Sequence, residues 1–215
     1  MYDPKEDALF RAKRREKMLE TAFRLFSEKK IDAVSMSEIA QETGFGRKTL
    51  NRYFDSKPGL VVAVAVWSWE KFRKGNKERR IAAGFDKMTA AEMFEFYLDS
   101  FLLLYRNRRD LLRFNQFFNV YVQSENIDPE TLEPYREMID KLQDHFHSIY
   151  MRAKRDGTMR TDLPEEKIFS TTLHLMLAAV TRYAVGLLYI PEDGFDAVSE
   201  LETLKEVLLW KYSTA

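Results

Sequence analysis

The sequence contains no cysteine, only eight glycines and six prolines in 215 residues, and its 34 basic side chains are matched by 34 acidic ones. Each shortage removes a class of protein. Without cysteine there is no disulfide scaffold, no thiolate metal site and no cysteine nucleophile, and a reducing cytoplasm is the expected compartment. A formal net charge of zero leaves no basic surplus of the kind that nucleic-acid-binding proteins usually carry. The segment MYDPKEDALFRAKRREKM interleaves charged and apolar residues with no uninterrupted apolar core, so no export signal is expected. What is present is a globular mixture, with 45% hydrophobic and 32% charged residues, sufficient to bury a core in one or two domains.

The few glycines and prolines fall between stretches of helical periodicity. Leu19, Ala22, Phe23 and Phe26 share one face of a helix over 11–28, with Arg14, Arg15 and Lys17 elsewhere on its surface. Ser35-Met36-Ser37-Glu38 has the form of a capping box, in which the serine oxygen takes the N3 amide and the glutamate bonds back. It opens a second helix that stops before Gly44. A third, short helix starts at Arg47 and is closed by Asp55-Ser56-Lys57-Pro58-Gly59. The run LVVAVAVW over 60–67 has strand propensity, but Pro58 suits a first helical turn, Ser56 can cap it, and a polar segment carries the pattern to about Arg80. Further helices are expected over 89–106, 109–124, 130–155, 164–190 and 195–212, with no strand or repeat, so the fold class is all-α with about nine helices. The apolar stretch 172–190 approaches the ~20 residues that span a bilayer. Arg182 in its middle, His174 and two threonines favour burial between helices, and no membrane association is expected.

Two short helices joined by Thr43-Gly44-Phe45-Gly46, with Arg47 and Lys48 leading the second, make the pattern of a DNA-binding helix-turn-helix. Such a helix enters the major groove and presents its N-terminal side chains to base edges. The segment VSMSEIAQETGFGRKTLNRYFDSKPGL resembles the N-terminal domain of the TetR family of bacterial transcriptional regulators, over roughly residues 12–62. The match is carried by the Ser35 cap, the Ile39-Ala40 pair, the Gly44-Phe45-Gly46 turn, Thr49-Leu50, Tyr53-Phe54 and Ser56-Lys57. The resemblance implies that Thr49, Tyr53 and Lys57 touch backbone phosphates, that Arg47 and Lys48 face bases, and that Ser37 reaches a phosphate from the start of the second helix. Asn51 and Arg52 complete the expected DNA-binding set. Three positions depart from the family pattern: Gly46 stands for a capping serine, Asn51 for a phosphate-binding tyrosine, and Ile31-Asp32 for a glycine. A chain weakened at Gly46 and Asn51 that acts through a protein partner, as a co-regulator, is the alternative reading.

Divided by region, the neutral charge changes meaning. Residues 1–60, the expected DNA-binding domain, hold 13 basic and 10 acidic side chains, a surplus of three, and residues 61–215 carry the opposite deficit. In that larger region Phe94, Phe96, Tyr97, Phe101, Tyr105, Phe114, Phe117, Phe118 and Tyr121 crowd into 28 residues. By the family resemblance, a mostly apolar effector is expected among the middle helices, contacted by some of Tyr97, Phe101, Tyr105, Phe117, Tyr121, Phe146 and Tyr150. The last two helices carry apolar stripes, Met176, Val180, Tyr183 and Leu187 on one and Leu201, Leu204, Leu208 and Tyr212 on the other, expected to form a homodimer interface. His145 and His147 point to different helix faces, so no metal site is expected. No catalytic triad, phosphate loop or dinucleotide fingerprint occurs, and neither an enzyme nor a cofactor is expected. The reading is a cytoplasmic, ligand-responsive regulator, a repressor, that binds a palindromic operator as a homodimer.

Overall fold

The computed structural model describes residues 4–187 and 194–214. Among these residues the chain forms nine α-helices, and no strand beyond one isolated bridge between Met159 and Ser213. The helices are α1 (Pro4–Lys29), α2 (Met36–Thr43), α3 (Arg47–Phe54), α4 (Lys57–Ala82), α5 (Ala90–Asn107), α6 (Arg109–Ser124), α7 (Pro129–Asp156), α8 (Glu165–Ala184) and α9 (Ala197–Tyr212), with a 3₁₀ turn at Phe85–Lys87. The all-α expectation therefore holds, and the run over 60–67 lies inside α4.

Local chemistry explains most boundaries. Ser35 Oγ accepts the Glu38 amide at 3.1 Å, as a cap should, but the Glu38 carboxylate takes Lys29 Nζ at 2.8 Å. After Lys29, the Ser35 amide also helps to hold that carboxylate below its ordinary value, so the expected box forms in a looser version. A complete one opens α5, where Thr89 Oγ1 accepts the Glu92 amide at 3.3 Å and Glu92 accepts the Thr89 amide at 2.7 Å. Ser56 Oγ accepts the Gly59 amide at 3.2 Å at the start of α4. α8 ends at Ala184, short of the expected 190, because the backbone turns through Gly186 at φ 74°; the end expected at 190 lies outside the described residues. No helix among the described residues is long and apolar enough to cross a membrane.

The chain divides into two compact units. One comprises the described residues through Lys71 together with Phe114–Met138, and the other comprises Phe72–Arg113 and the described residues from Ile139 onward. The boundary expected at residue 60 falls inside α4, which contributes to both units. In the first unit α6 packs on α1, with the Phe114 ring tilted against Phe23 at 5.4 Å and stacked on Phe26 at 6.5 Å, all three rings buried. In the second, α5 packs against both α8 and α9. Lys205 of α9, almost buried, reaches Asp99 at 2.6 Å and Glu95 at 2.9 Å on α5.

Candidate nucleic-acid interface

Helix α2 buries Met36, Ile39, Ala40 and Thr43, and the Thr43 hydroxyl donates back to the Ile39 carbonyl at 2.8 Å. Gly44 then takes a left-handed conformation, φ 74°, which a residue with a Cβ adopts only with strain. Gly46 returns to an extended conformation and caps α3 with no side-chain hydrogen bond. Lys29 to Glu38 and Arg24 to Glu42, both at 2.8 Å, tie α1 to α2. The expected glycine of the α1–α2 turn is absent, and its left-handed backbone falls on Lys30, φ 69°.

Leu50 and Phe54 are one helical turn apart on α3 and both are buried, which fixes how the helix rolls on its domain. Arg47, Lys48, Asn51 and Arg52 are consequently exposed, while Thr49 and Tyr53 are half-buried at the edges of that face. Among the described residues no carboxylate lies within ion-pair distance of Arg47, Lys48 or Arg52. Ser37 is exposed in the first turn of α2. Lys57 is half-buried: its Nζ donates to the Asp32 carbonyl at 3.4 Å and stands 5.7 Å above the Tyr121 ring. All eight expected DNA-binding residues therefore belong to the first unit, where Arg47, Lys48, Asn51 and Arg52 share the free surface of one helix.

The seven residues expected around an effector divide between the units. Phe117 and Tyr121 belong to the first, and Tyr121, buried against Lys57, is pushed up to about 12 by that burial and by the carboxylates of Glu125 and Asp32. The other five lie in the second unit. There Tyr97 meets Phe101 at 5.3 Å and Phe146 at 5.7 Å, Phe146 meets Phe169 at 5.5 Å, and burial raises the Tyr97 phenol. Tyr150 donates to the Leu163 carbonyl at 2.9 Å and so holds the α7–α8 connection, and Tyr105 lies under Arg109. A cleft of about 550 Å³ in the second unit has other walls: Lys77, Arg80 and Ile81 of α4, Phe85 of the 3₁₀ turn, and Asp144 and His145 of α7. Burial holds His145 below the ordinary imidazole value. None of the seven residues lines this cleft.

The eight residues expected at a dimer interface differ in their exposure. Met176 and Val180 of α8 and Leu201, Leu208 and Tyr212 of α9 are buried within the chain, with Tyr212 edge-on to Phe94 at 6.0 Å. Leu204 is half-buried, and Tyr183 donates to Glu200 at 2.5 Å, a bond that lifts its phenol to about 12. Periodicity identified an apolar face but not what covers it. Of the eight residues only Leu187, just past the end of α8, is exposed; Leu175 on α8 and Val207 and Trp210 on α9 are exposed as well, the last 84%. Among the described residues no cluster of histidine and carboxylate side chains could hold a metal ion.

Comparison with known proteins agrees with this geometry. Residues 18–64 match the family model described as bacterial regulatory proteins, tetR family. No curated protein sequence matches the chain. Among solved structures, the fatty acid degradation regulator FadR from Bacillus halodurans is similar with a TM-score of 0.70 and 13% identity, over 97% of this chain and 96% of that one. FadR from Bacillus subtilis in complex with stearoyl-CoA has a TM-score of 0.66 and 18% identity over 90% and 97% of the two chains. The ketosteroid transcriptional regulator KstR2 of Mycobacterium tuberculosis has a TM-score of 0.62 and 15% identity over 94% and 96%.

Proposed function

We propose that this chain, whose residues 18–64 match the tetR-family model and whose fold is shared with solved regulators of that family, is a DNA-binding transcriptional repressor released from its operator by a mostly apolar small molecule. The observation that carries this reading is the free face of α3, with Arg47, Lys48, Asn51 and Arg52 exposed above the buried pair Leu50 and Phe54. An α-helix about 10–12 Å across fits a major groove about 12 Å wide. At the N-terminal end of α3, Arg47 and Lys48 are the side chains that reach base edges, where a bidentate arginine or lysine reads guanine. Ser37, Thr49, Tyr53 and Lys57 hold the flanking phosphates, which set register without encoding sequence.

The protein acts as a homodimer through the outer surfaces of α8 and α9 and the turn after α8, where Leu175, Val207, Trp210 and Leu187 leave apolar area in water. Two-fold symmetry of the dimer calls for a two-fold operator. The effector binds in the second unit, and its apolar character is supported by the ring cluster of Tyr97, Phe101 and Phe146 and by a structural neighbour solved with stearoyl-CoA. It acts by preferring the form of the dimer that does not bind DNA, since a ligand with equal affinity for both forms shifts nothing. Selection from a random duplex library tests the reading. Enrichment of two half-sites with a common dyad is the expected result; no enrichment at low salt overturns it.

A further inference from the structure

Helix α1 begins at Pro4, whereas the TetR-type match begins at residue 18. The turns before residue 18 carry Arg11, Lys13, Arg14, Arg15 and Lys17 against a single acid, Glu16, within 11–17. Glu16 is already engaged, accepting Lys71 at 2.7 Å and Trp67 Nε1 at 2.8 Å, and Arg11 pairs with Asp7. Among the described residues no carboxylate lies within ion-pair distance of Lys13, Arg14 or Lys17.

Two of these cations are nevertheless held in place. The Arg14 guanidinium lies 4.1 Å from the Phe10 ring and 5.5 Å from the Phe45 ring, and Lys17 Nζ lies 5.5 Å from the same Phe45 ring. Phe45 sits in the turn that delivers α3, two residues before Arg47. A ring orients a cation without neutralising it, which a carboxylate would do. The turn is thus edged by two positive groups with their charge undiminished, beside the end of α3 that carries Arg47 and Lys48. When a helix occupies the major groove, the atoms beside its N-terminal end face the phosphates of the strand bordering that groove.

Resting on the operator-binding reading above, we propose that the amino-terminal half of α1 is a second DNA-contact element, in which Arg14 and Lys17, positioned by Phe45, bind backbone phosphates beside the recognition helix. Double-stranded DNA is favoured over an anionic membrane by the packing of α1 itself. Leu9 and Phe10 are exposed near its start, but beyond Lys17 the apolar face of α1, from Met18 to Phe26, is buried in the domain, so the exposed apolar area is confined to about one turn, too little to seat the helix in lipid.

The test uses the full chain and its Arg14→Gln, Lys17→Gln double variant, titrated against the library-selected duplex over a range of salt concentrations. Loss of two phosphate contacts lowers the slope of log affinity against log salt by about 1.8 per protomer, at ~0.9 per contact, so that a fourfold rise in salt costs roughly tenfold less affinity per protomer. The sequence preference and the melting temperature stay unchanged. An unaltered slope in the variant overturns the proposal while the operator-binding reading stands, and so does a changed base preference, which would make these residues readers of sequence. A wild-type chain that selects no duplex overturns both. Binding of wild-type protein to phosphatidylserine vesicles, lost in the variant while its DNA slope is intact, would assign this half of α1 to membranes and refute the proposal.

Discussion

Three glycines around α3 make the local geometry testable through serine substitutions. At Gly46 the backbone is extended, with φ −66° and ψ 148°, no atom lies within 4 Å of an added Cβ, and the first turn of α3 has no side-chain cap. A serine there gains the capping hydrogen bond, worth a few tenths of a kcal/mol over glycine. It also restricts the unfolded chain, worth about 0.4–1 kcal/mol. The combined gain of about 1 kcal/mol raises Tm by about 2–4 °C in a chain of this size. At Gly44 the same substitution meets no neighbour but must adopt φ 74°, which costs about 1–2 kcal/mol. At Gly59 an added Cβ would stand 2.3 Å from the Phe54 carbonyl oxygen, a backbone atom, so the start of α4 must shift at a cost of about 3 kcal/mol. Thermal unfolding followed by circular dichroism should therefore order the variants Gly46→Ser above wild type, then Gly44→Ser, then Gly59→Ser. A fall in Tm for Gly46→Ser, or an unchanged Tm for Gly59→Ser, would refute the reasoning.

Other consequences follow from single side chains. Lys48→Ala should alter which base pairs are preferred, whereas Lys57→Ala should weaken all sequences alike; library selection with both variants separates the two, and identical preference profiles would contradict the assignment. Lys205→Ala should destabilise by about 1–2 kcal/mol, less than a fully buried pair, because Glu95 and Asp99 regain water. Burial works against the Lys205 charge, but its hydrogen bonds to Asp99 and Glu95 prevail and raise its pKa in the folded state. That contribution is fully present below the ordinary lysine value and disappears as pH rises through the higher folded one, so denaturant titrations of wild type and variant should converge at strongly alkaline pH. Trp210→Glu should leave the protomer folded but dissociate the dimer in sedimentation analysis, since Trp210 is exposed in the protomer; an unchanged dimer would show that the interface lies elsewhere.

The sequence was most legible where side chains act on their own backbone. The Ser35 cap, the Gly44 turn and the spacing of Leu50 and Phe54 are local, and α6 lies at the expected 109–124. Partners distant in sequence were not legible. Glu38 is claimed by Lys29 across the α1–α2 corner, a competition that the capping motif alone cannot reveal. Tyr121 lies in an aromatic-rich stretch shared with Tyr97, yet the two occupy different units, and Tyr121 instead adjoins Lys57. The apolar stripes of α8 and α9 show why periodicity is ambiguous about assembly: a stripe needs a cover, and here α5 supplies it within the protomer. Thr89 and Glu92 had the same Ser/Thr-x-x-Glu form as Ser35 to Glu38, and that signal was available in the sequence to place the start of α5.

The central claim is that α3 reads DNA sequence with the exposed side chains at its N-terminal end. It is tested most directly by equilibrium binding of the wild-type chain to its library-selected duplex and to a scrambled duplex of equal length, at one fixed salt concentration, alongside the Arg47→Ala, Lys48→Ala double variant. Wild type should favour the selected duplex by about 10³-fold or more. The double variant should lose most of that ratio while retaining its affinity for scrambled DNA to within the few phosphate contacts it keeps. Equal affinity of wild type for both duplexes, or a ratio untouched by the double substitution, would contradict the claim.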